Sequence, residues 1–580
     1  MLERNKITGP FWRFQYNIYL PVLVLVMEAI KKDAYKYAVK NAFLHEGKAD
    51  VGAVIGKIMA LHKGIDLKKA MHAIQEAVKQ VNEMPQNQIE KEFKKFEKIG
   101  YELKPKQKQA GLPELPWAGE ERVVTRFAPN PNGPIHFGHA RAAVLSYEYA
   151  KKYNGEFFLR FDDTDPRIKK PLENAEEVFR RDLEWLGIKI EKVVFASDRL
   201  EIYYDYMRKL LEMEKAYVCK CSQSQWKRLV TQKKPCKHRK QESKESLALF
   251  EKMLSNELGE GEAVVRIKTD LKHNDPSVRD WWIARIINTP NHPRTGSAYH
   301  VWPSYMFQSA IDDHLLGATL ILRGQEHAQN KTKQEFLYNY FRWQYPHSIH
   351  FGRLKLGSMM LSTSKILAGI QAGKYESWDD PRLGTIAALR RRGFQAEAIK
   401  QAIIEVGTKP SDANIEMSKL ADINKHLIEE NAERIPFVLE PIELDVGYAL
   451  ETEAELDGKT YELHAGNQKF LVDKKEMEKT NEGNIVRIRN AYNAKIVKKN
   501  SLQVFAEFAG KGTIDAPIIS WVIDGIDVEI VTPENRKTIG TADSRIKEKQ
   551  VDEIVYLEKF GFARVDSTNG RRIVLYFAHK

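Results

Sequence analysis

Apolar residues in the first hundred positions recur every three to four residues, with Lys, Ala and Glu between them, so this stretch reads as helices. Residues 35–44 and 51–61 carry the spacing, whereas 91–98 is charged and reads as a solvated face. The apolar run at 19–27 is too short to span a bilayer, and no signal-peptide cleavage pattern follows it. Three prolines and a glycine mark a linker at 104–117. The pattern then switches. Val123, Val124 and Phe127 suit a buried strand, broken by Pro129, Pro131, Gly133 and Pro134. Helical periodicity resumes through Ala140, Val144, Leu145 and Tyr149 until Asn154-Gly155 turns the chain, and residues 159–161 close a βαβ unit. Residues 176–187 form an amphipathic helix ending on glycine. From 437 to 580 short apolar runs at 485–488, 494–497, 518–523, 527–531, 554–557 and 573–577 alternate with turns such as Asp457-Gly458, Asp524-Gly525 and Asn569-Gly570. That alternation predicts one or two β-barrels.

The chain has 580 residues, enough for about three to five domains. Lys and Arg total 91 against 79 Asp and Glu, a net +12 that suits a polyanionic partner. Three cysteines fit a reducing cytoplasm. All three lie close together as Cys219, Cys221 and Cys236, with His238 beside them. Three thiolates and an imidazole are a closed donor set for structural zinc; the bland alternative is three reduced thiols in a basic loop. Residues 219–244 hold nine Lys and Arg against Glu242 alone, as a polyphosphate contact or a solvated loop would. At the mouth of the helix after the first strand, His136 and His139 share one face with Gly138 between them. Free N–H groups and the positive dipole end favour phosphate there.

The run from Arg126 to His139 reads R-F-A-P-N-P-N-G-P-I-H-F-G-H, and Leu159 to Thr164 reads L-R-F-D-D-T. With these two segments the chain resembles the glutamyl- and glutaminyl-tRNA synthetase family of class I aminoacyl-tRNA synthetases. Further matches are Ser197-Asp198-Arg199 with Tyr203, the run 280–327 including Asp312-Asp313, and Trp378-Asp379-Asp380-Pro381-Arg382. The second class I signature departs from the family pattern: in Ser362-Thr363-Ser364-Lys365, Thr363 stands where the usual lysine would be. Residues 482–487 and 557–566 resemble the anticodon-binding β-barrels of glutaminyl and archaeal or eukaryotic glutamyl enzymes, where bacterial glutamyl enzymes have helices.

The resemblance implies a multidomain α/β plus β chain. It would comprise an N-terminal helical domain (1–103), a class I Rossmann catalytic domain (118–218 and 299–390), an inserted acceptor-stem-binding domain with the zinc site (219–298), a helical connector (391–436) and a C-terminal anticodon-binding β-barrel domain (437–580). His136, His139 and Lys365 would be catalytic, contacting ATP phosphates, with Pro129, Gly138, Ser362 and Ser364 completing the ATP site. Arg126 would meet the substrate's side-chain carboxylate and Asp162 its α-ammonium, with Tyr305 and Arg323 completing the pocket. The implied cofactors are ATP and Mg²⁺, with structural Zn²⁺ at the cysteine cluster. The implied partners are tRNA(Glu) and L-glutamate, with no membrane, for a cytoplasmic monomer. Residues 47–59 resemble the N-terminal extension of archaeal-type glutamyl enzymes; a small bundle packed on the body explains them without a direct RNA role. Both branches keep Arg126 and Asp162, and Ser309, four residues after Tyr305, does not decide between them. The N-terminal segment, the Thr363 variant and Gly324-Gln325-Glu326-His327 favour the glutamyl branch. A glutaminyl enzyme, added charging of tRNA(Gln), a non-catalytic tRNA-binding protein and another nucleotidyltransferase remain the alternatives.

Overall fold

The computed structural model describes residues 13–44, 47–62, 67–97 and 112–580, and the chain divides into two units at residue 109. Much of the expected linker at 104–117 lies outside the described residues. The first unit is helical: α1 (Arg13–Leu44), α2 (Val51–Leu61), α3 (Leu67–Asn82) and α4 (Gln86–Glu97). Ile30, Ala34, Ala38 and Ala42, four apart on α1, are buried against Val54, Ile58, Ile74 and Val78. Asp50 caps α2 by accepting the Ala53 N–H at 2.8 Å. Within the stretch expected to be solvated at 91–98, the described side chains at 91–95 are exposed on one face only. Phe93 is buried and stacks on Phe43 with ring centroids 4.1 Å apart, because its helix needs an apolar side to dock. No described helix is long and apolar enough to cross a membrane.

The second unit starts with a parallel sheet. Strands β1 (Val124–Phe127), β2 (Glu156–Phe161) and β3 (Val193–Phe195) are joined through helices α5 (Phe137–Lys152) and α6 (Ala175–Trp185). Helix α7 (Leu200–Glu212) leads into a four-stranded antiparallel sheet of β4 (Ala216–Cys219), β5 (Val264–Ile267), β6 (Trp282–Ile286) and β7 (Val301–Pro303). It brackets helices α8 (Gln223–Thr231) and α9 (Ser243–Leu254). Helix α10 (Tyr305–Leu315) then returns the chain to β8 (Leu320–Gly324), α11 (Ala328–Phe341) and β9 (His347–Phe351). The parallel sheet runs β3-β2-β1-β8-β9. Its order reverses between β1 and β8, and a doubly wound sheet offers its ligand crevice at the carboxyl ends beside that reversal.

Beyond β9 come β10 (Leu354–Leu356), α12 (Thr363–Gln371), α13 (Ile386–Arg391), α14 (Ala396–Val406), β11 (Ala413–Ile415) and α15 (Met417–Ile428). Arg141 on α5 is fully buried and donates to the carbonyls of Gly352 (2.6 Å) and Gly407 (2.7 Å), fixing the first signature helix to the segments after β9 and α14. Two seven-stranded sheets with barrel-like cores follow. One is built from strands between Pro441 and Val522 around Leu444, Phe470, Val486, Ile496 and Trp521. The other joins Glu433–Ile435 and Phe437–Leu439 to strands between Ile526 and His579. The run expected as one strand at 518–523 is two, Ile518–Ile519 and Trp521–Val522, which pair with different neighbours. Ser520 between them bonds Glu558 at 2.7 Å instead of continuing a ladder.

Candidate active site

The loop after β1 brings both signature segments together. His136 is the N-cap of α5, and its Nδ1 accepts the His139 N–H at 3.2 Å. A neutral ring bonded this way carries its proton on Nε2, as a donor toward the crevice. The two imidazoles stack with centroids 3.7 Å apart. Burial, reinforced by the neighbouring His139, holds His136 well below the usual histidine range; burial and the charge of Lys169 hold His139 down to about 4. Both are therefore neutral donors near pH 7. Gly138 leaves room for the stack: an added Cβ would sit 3.1 Å from the His136 ring, which would have to give by a few tenths of an ångström.

The second signature abuts the first. A Cβ on Gly133 would run into the Thr363 methyl and the Trp378 ring, so Thr363 fills the space over that glycine. Phe137 N–H donates to Gly384 at 2.9 Å and Gly384 N–H donates to Met360 at 3.1 Å, linking the start of α5 to the loop before α12. Buried Asp380 locks the connecting turn through Arg382, at 2.8 and 2.6 Å. Ser362 is the N-cap of α12 without a side-chain capping bond, and Ser364 and Lys365 are exposed on its first turn. Among the described residues Lys365 has no ion-pair partner, so its ammonium is available to an anion.

At the ends of β1, β2 and β8 lies a buried charged cluster. Arg126 donates to Asp313 through Nε (2.9 Å) and Nη2 (3.3 Å). Arg160 bridges Asp313 (2.7 Å) and Asp162 Oδ1 (2.9 Å), which also accepts from Gln308 at 2.9 Å. Burial works against the Asp313 charge, but Arg126 and Arg160 outweigh it and hold its carboxyl below the ordinary range. Asp162 is raised by burial despite Arg160, and its Oδ2 has no partner. An orphaned buried carboxylate oxygen suits a cationic ligand. Pro129 serves this end of the site through its carbonyl, which accepts the Asp162 N–H at 2.9 Å. Tyr305, at the start of α10, is raised by burial and by Asp162, and opposed by Arg126, Arg323 and Arg160. Asp162, Arg126 and Arg323 thus all act on Tyr305, with the His327 ring 5.9 Å from that of Tyr305.

Of the polar groups on α10, Gln308 was not singled out from the sequence, and Ser309 and Asp312-Asp313 were named there without a role. Gln308, Ser309, Asp312 and Asp313 lie three, four, seven and eight residues after Tyr305 and share one face of α10, a polar stripe within the core. The Ser197–Tyr203 motif is structural. Ser197 donates to Asp163 through its N–H (2.8 Å) and hydroxyl (2.6 Å), and Arg199 and Tyr203 donate to Asp312 at 2.7 and 2.5 Å.

Residues 122–430 match the family model described as tRNA synthetases class I (E and Q), catalytic domain. The glutamate–tRNA ligase of Thermococcus kodakarensis is 45% identical across 96% of this chain and 100% of that protein. That of Pyrococcus horikoshii is 45% identical across 95% of this chain and 100% of its own length. The chain belongs to the class I tRNA synthetases for E and Q. A solved glutamate tRNA ligase from Elizabethkingia meningosepticum, in complex with its amino acid, aligns over 54% of this chain and 71% of that one at 21% identity and a TM-score of 0.40.

The antiparallel insert of this synthetase gathers its sulfur ligands. Donor atoms of Cys219, Cys221, Cys236 and His238 all lie within 4.8 Å of one another. Cys219 and Cys236 sulfurs are 3.8 Å apart, Cys221 sulfur is 3.6 Å from His238 Nδ1, and Cys236 sulfur is 3.9 Å from it. A tetrahedron with arms of about 2.3 Å has edges near 3.8 Å, so the residues fit one zinc ion. Such an ion would tie the end of β4 to the loop before α9 as a structural cross-link.

Proposed function

We propose that this chain joins L-glutamate to tRNA(Glu) with ATP, through a glutamyl-adenylate. The reading is carried by one juxtaposition: neutral phosphate donors at the mouth of α5 lie beside a pocket with an unpartnered Asp162 oxygen and buried guanidinium groups. Asp162 Oδ2 takes the substrate α-ammonium, while Arg126 and Arg323 face the side-chain carboxylate, with Tyr305 along the side chain. The α-carboxylate oxygen then attacks the α-phosphorus and pyrophosphate leaves. In the second step a hydroxyl of the terminal ribose of tRNA attacks the activated carbonyl carbon and AMP leaves. His136 donates to phosphate oxygens from Nε2, His139 supports it through the stack, and Gly138 keeps the approach narrow.

Thr363 supplies no cation, so charge on the departing pyrophosphate falls to exposed Lys365, helped by Lys169 on the loop after β2, with Ser362 and Ser364 as hydroxyl donors. Mg²⁺ accompanies the nucleotide. In this reading the insert, with its basic segment and zinc held by Cys219, Cys221, Cys236 and His238, grips the acceptor stem. The C-terminal sheets read the anticodon, and the synthetase works in the cytoplasm as a monomer. The test is aminoacylation of archaeal tRNA with labelled glutamate and, separately, labelled glutamine, resolved by anticodon. Glutamate on tRNA(Glu) is the expected product, and glutamate also on tRNA(Gln) would extend the substrate range. Charging with glutamine alone, or with neither amino acid, would overturn the reading.

A further inference from the structure

The guanidinium groups of the pocket differ in what holds them. Arg126 and Arg160 are bonded to the carboxylates of Asp313 and Asp162. Arg323 is also buried, at 5% exposure, yet its three bonds go to neutral acceptors. Its Nε donates to His350 Nε2 at 3.2 Å, Nη1 to Gln334 Oε1 at 3.1 Å and Nη2 to the Tyr345 hydroxyl at 2.8 Å. Among the described residues no carboxylate lies within ion-pair distance of it.

The cradle has its own supports. Tyr345 donates its hydroxyl proton to Gln334 Oε1 at 2.8 Å. The Gln334 amide donates to Ser309 at 2.8 Å and to the Met306 carbonyl at 3.2 Å, which fixes its carbonyl oxygen toward Arg323. Because Arg323 donates to His350 Nε2, that imidazole must be neutral with its proton on Nδ1. Burial, then the charges of Arg323, Lys331 and His327, lower the His350 pKa in the same sense. A guanidinium has five N–H groups, and three are used here, so one remains on each terminal nitrogen.

A buried charge is normally paired, and one left unpaired is as unfavourable as one whose ion-pair partner has been removed. A neutral cradle around a buried cation therefore keeps a full positive charge in reserve for a ligand. An acidic side chain neutralises it; an amide of the same shape does not. We infer that Gln334, Tyr345 and His350 are positioning residues that set the preference for an acidic over an amide side chain, by holding Arg323 in place without neutralising it. The inference rests on the proposed pocket role of Arg323. It moves the source of selectivity from the arginine itself to the uncharged groups behind it.

The experiment places a carboxylate behind Arg323 at two separate points, Gln334→Glu and His350→Glu, with His350→Gln as the uncharged control. Steady-state charging of tRNA is measured with glutamate and with glutamine for each full-length variant, after melting curves verify folding. Both acidic variants should raise KM for glutamate by about tenfold or more, with a smaller change in kcat, and lower the glutamate-to-glutamine ratio of kcat/KM by a similar factor. His350→Gln, which still offers a neutral acceptor, should hold the parent ratio. His350 is half-buried, so its variants provide the reading even if Gln334→Glu does not fold. An unchanged ratio in the acidic variants, or equal behaviour of His350→Glu and His350→Gln, overturns the inference. Failure of the parent protein to charge glutamate overturns the proposed function instead.

Discussion

A neutral histidine offers phosphate a directed proton and no charge, and the stacked His136 and His139 are of that kind. Replacing His136 with alanine should lower kcat by about 10²–10³, the effect of losing one preorganised donor, with KM for glutamate changed little. Single-turnover charging measures this, and an equal rise in KM would place the ring in the amino-acid pocket. The same burial couples stability to acid. Between its folded pKa of about 4 and the ordinary unfolded value near 6.5, His139 binds fewer protons in the native chain than in the unfolded one, so it lowers stability as pH falls through that window. Asp163 has the opposite sign. Burial, only partly offset by the two Ser197 bonds, raises it to about 7, so between the unfolded carboxylate value and 7 the native chain holds a proton that the unfolded chain has released. Its contribution therefore declines as pH rises through that range. Asp163→Asn removes this counterweight, and the variant's Tm should fall more steeply than the parent's from about pH 7 to about pH 4. Parallel melting curves would show that Asp163 is ionised in the fold.

Helix α5 is useful only where Arg141 holds it. Arg141→Met would strand the buried carbonyls of Gly352 and Gly407 and should cost at least about 2 kcal/mol, read as a lower urea midpoint at unchanged slope. At the other end of the element, Gly133→Ala would push the first loop away from Thr363 and Trp378. It should reduce kcat far more than it reduces Tm; the reverse pattern would make the junction a packing contact alone. These elements differ in how visible they are from residue order. The strand before Pro129, the helix through Tyr149 and the paired histidines show in periodicity and breakers. The polar stripe on α10 was legible in principle, because Tyr305, Gln308, Ser309, Asp312 and Asp313 have helical spacing. Its buried counter-charges are not, since Asp313 meets Arg126 and Arg160 only through the sheet. Strand Glu433–Ile435 is too short for any period to show, and it falls where helix was expected. The apolar run at 518–523 hides a change of partner that Ser520 imposes through a residue far along the chain.

Within the second unit, the cysteine cluster belongs to the insert, and a metal held there would act on the scaffold. Stripping zinc with a chelator should lower the melting temperature and weaken tRNA binding while leaving KM for glutamate near its parent value, since the cysteine cluster lies in the insert and none of its residues bonds the pocket. Metal analysis before and after treatment checks it; a chain free of zinc with unchanged melting would leave the thiols as packing groups. The two C-terminal sheets are interleaved, not consecutive. The chain lays down Glu433–Ile435 and Phe437–Leu439, builds the other sheet, and only then supplies their partners Ile554–Leu557 and Lys537–Ala542. The same late strands reach back to the helices after the crevice: His579 meets Asn424 at 2.9 Å, the Ala578 carbonyl accepts from Arg392 at 3.0 Å, and Asp566 accepts from Arg391 at 3.1 Å. During synthesis, then, a ribosome can release a largely formed crevice long before its backing is in place. Helices α13 and α15 stay half-supported until residue 579 has emerged, so an interrupted message would yield a chain with its chemistry assembled but its scaffold open to proteases.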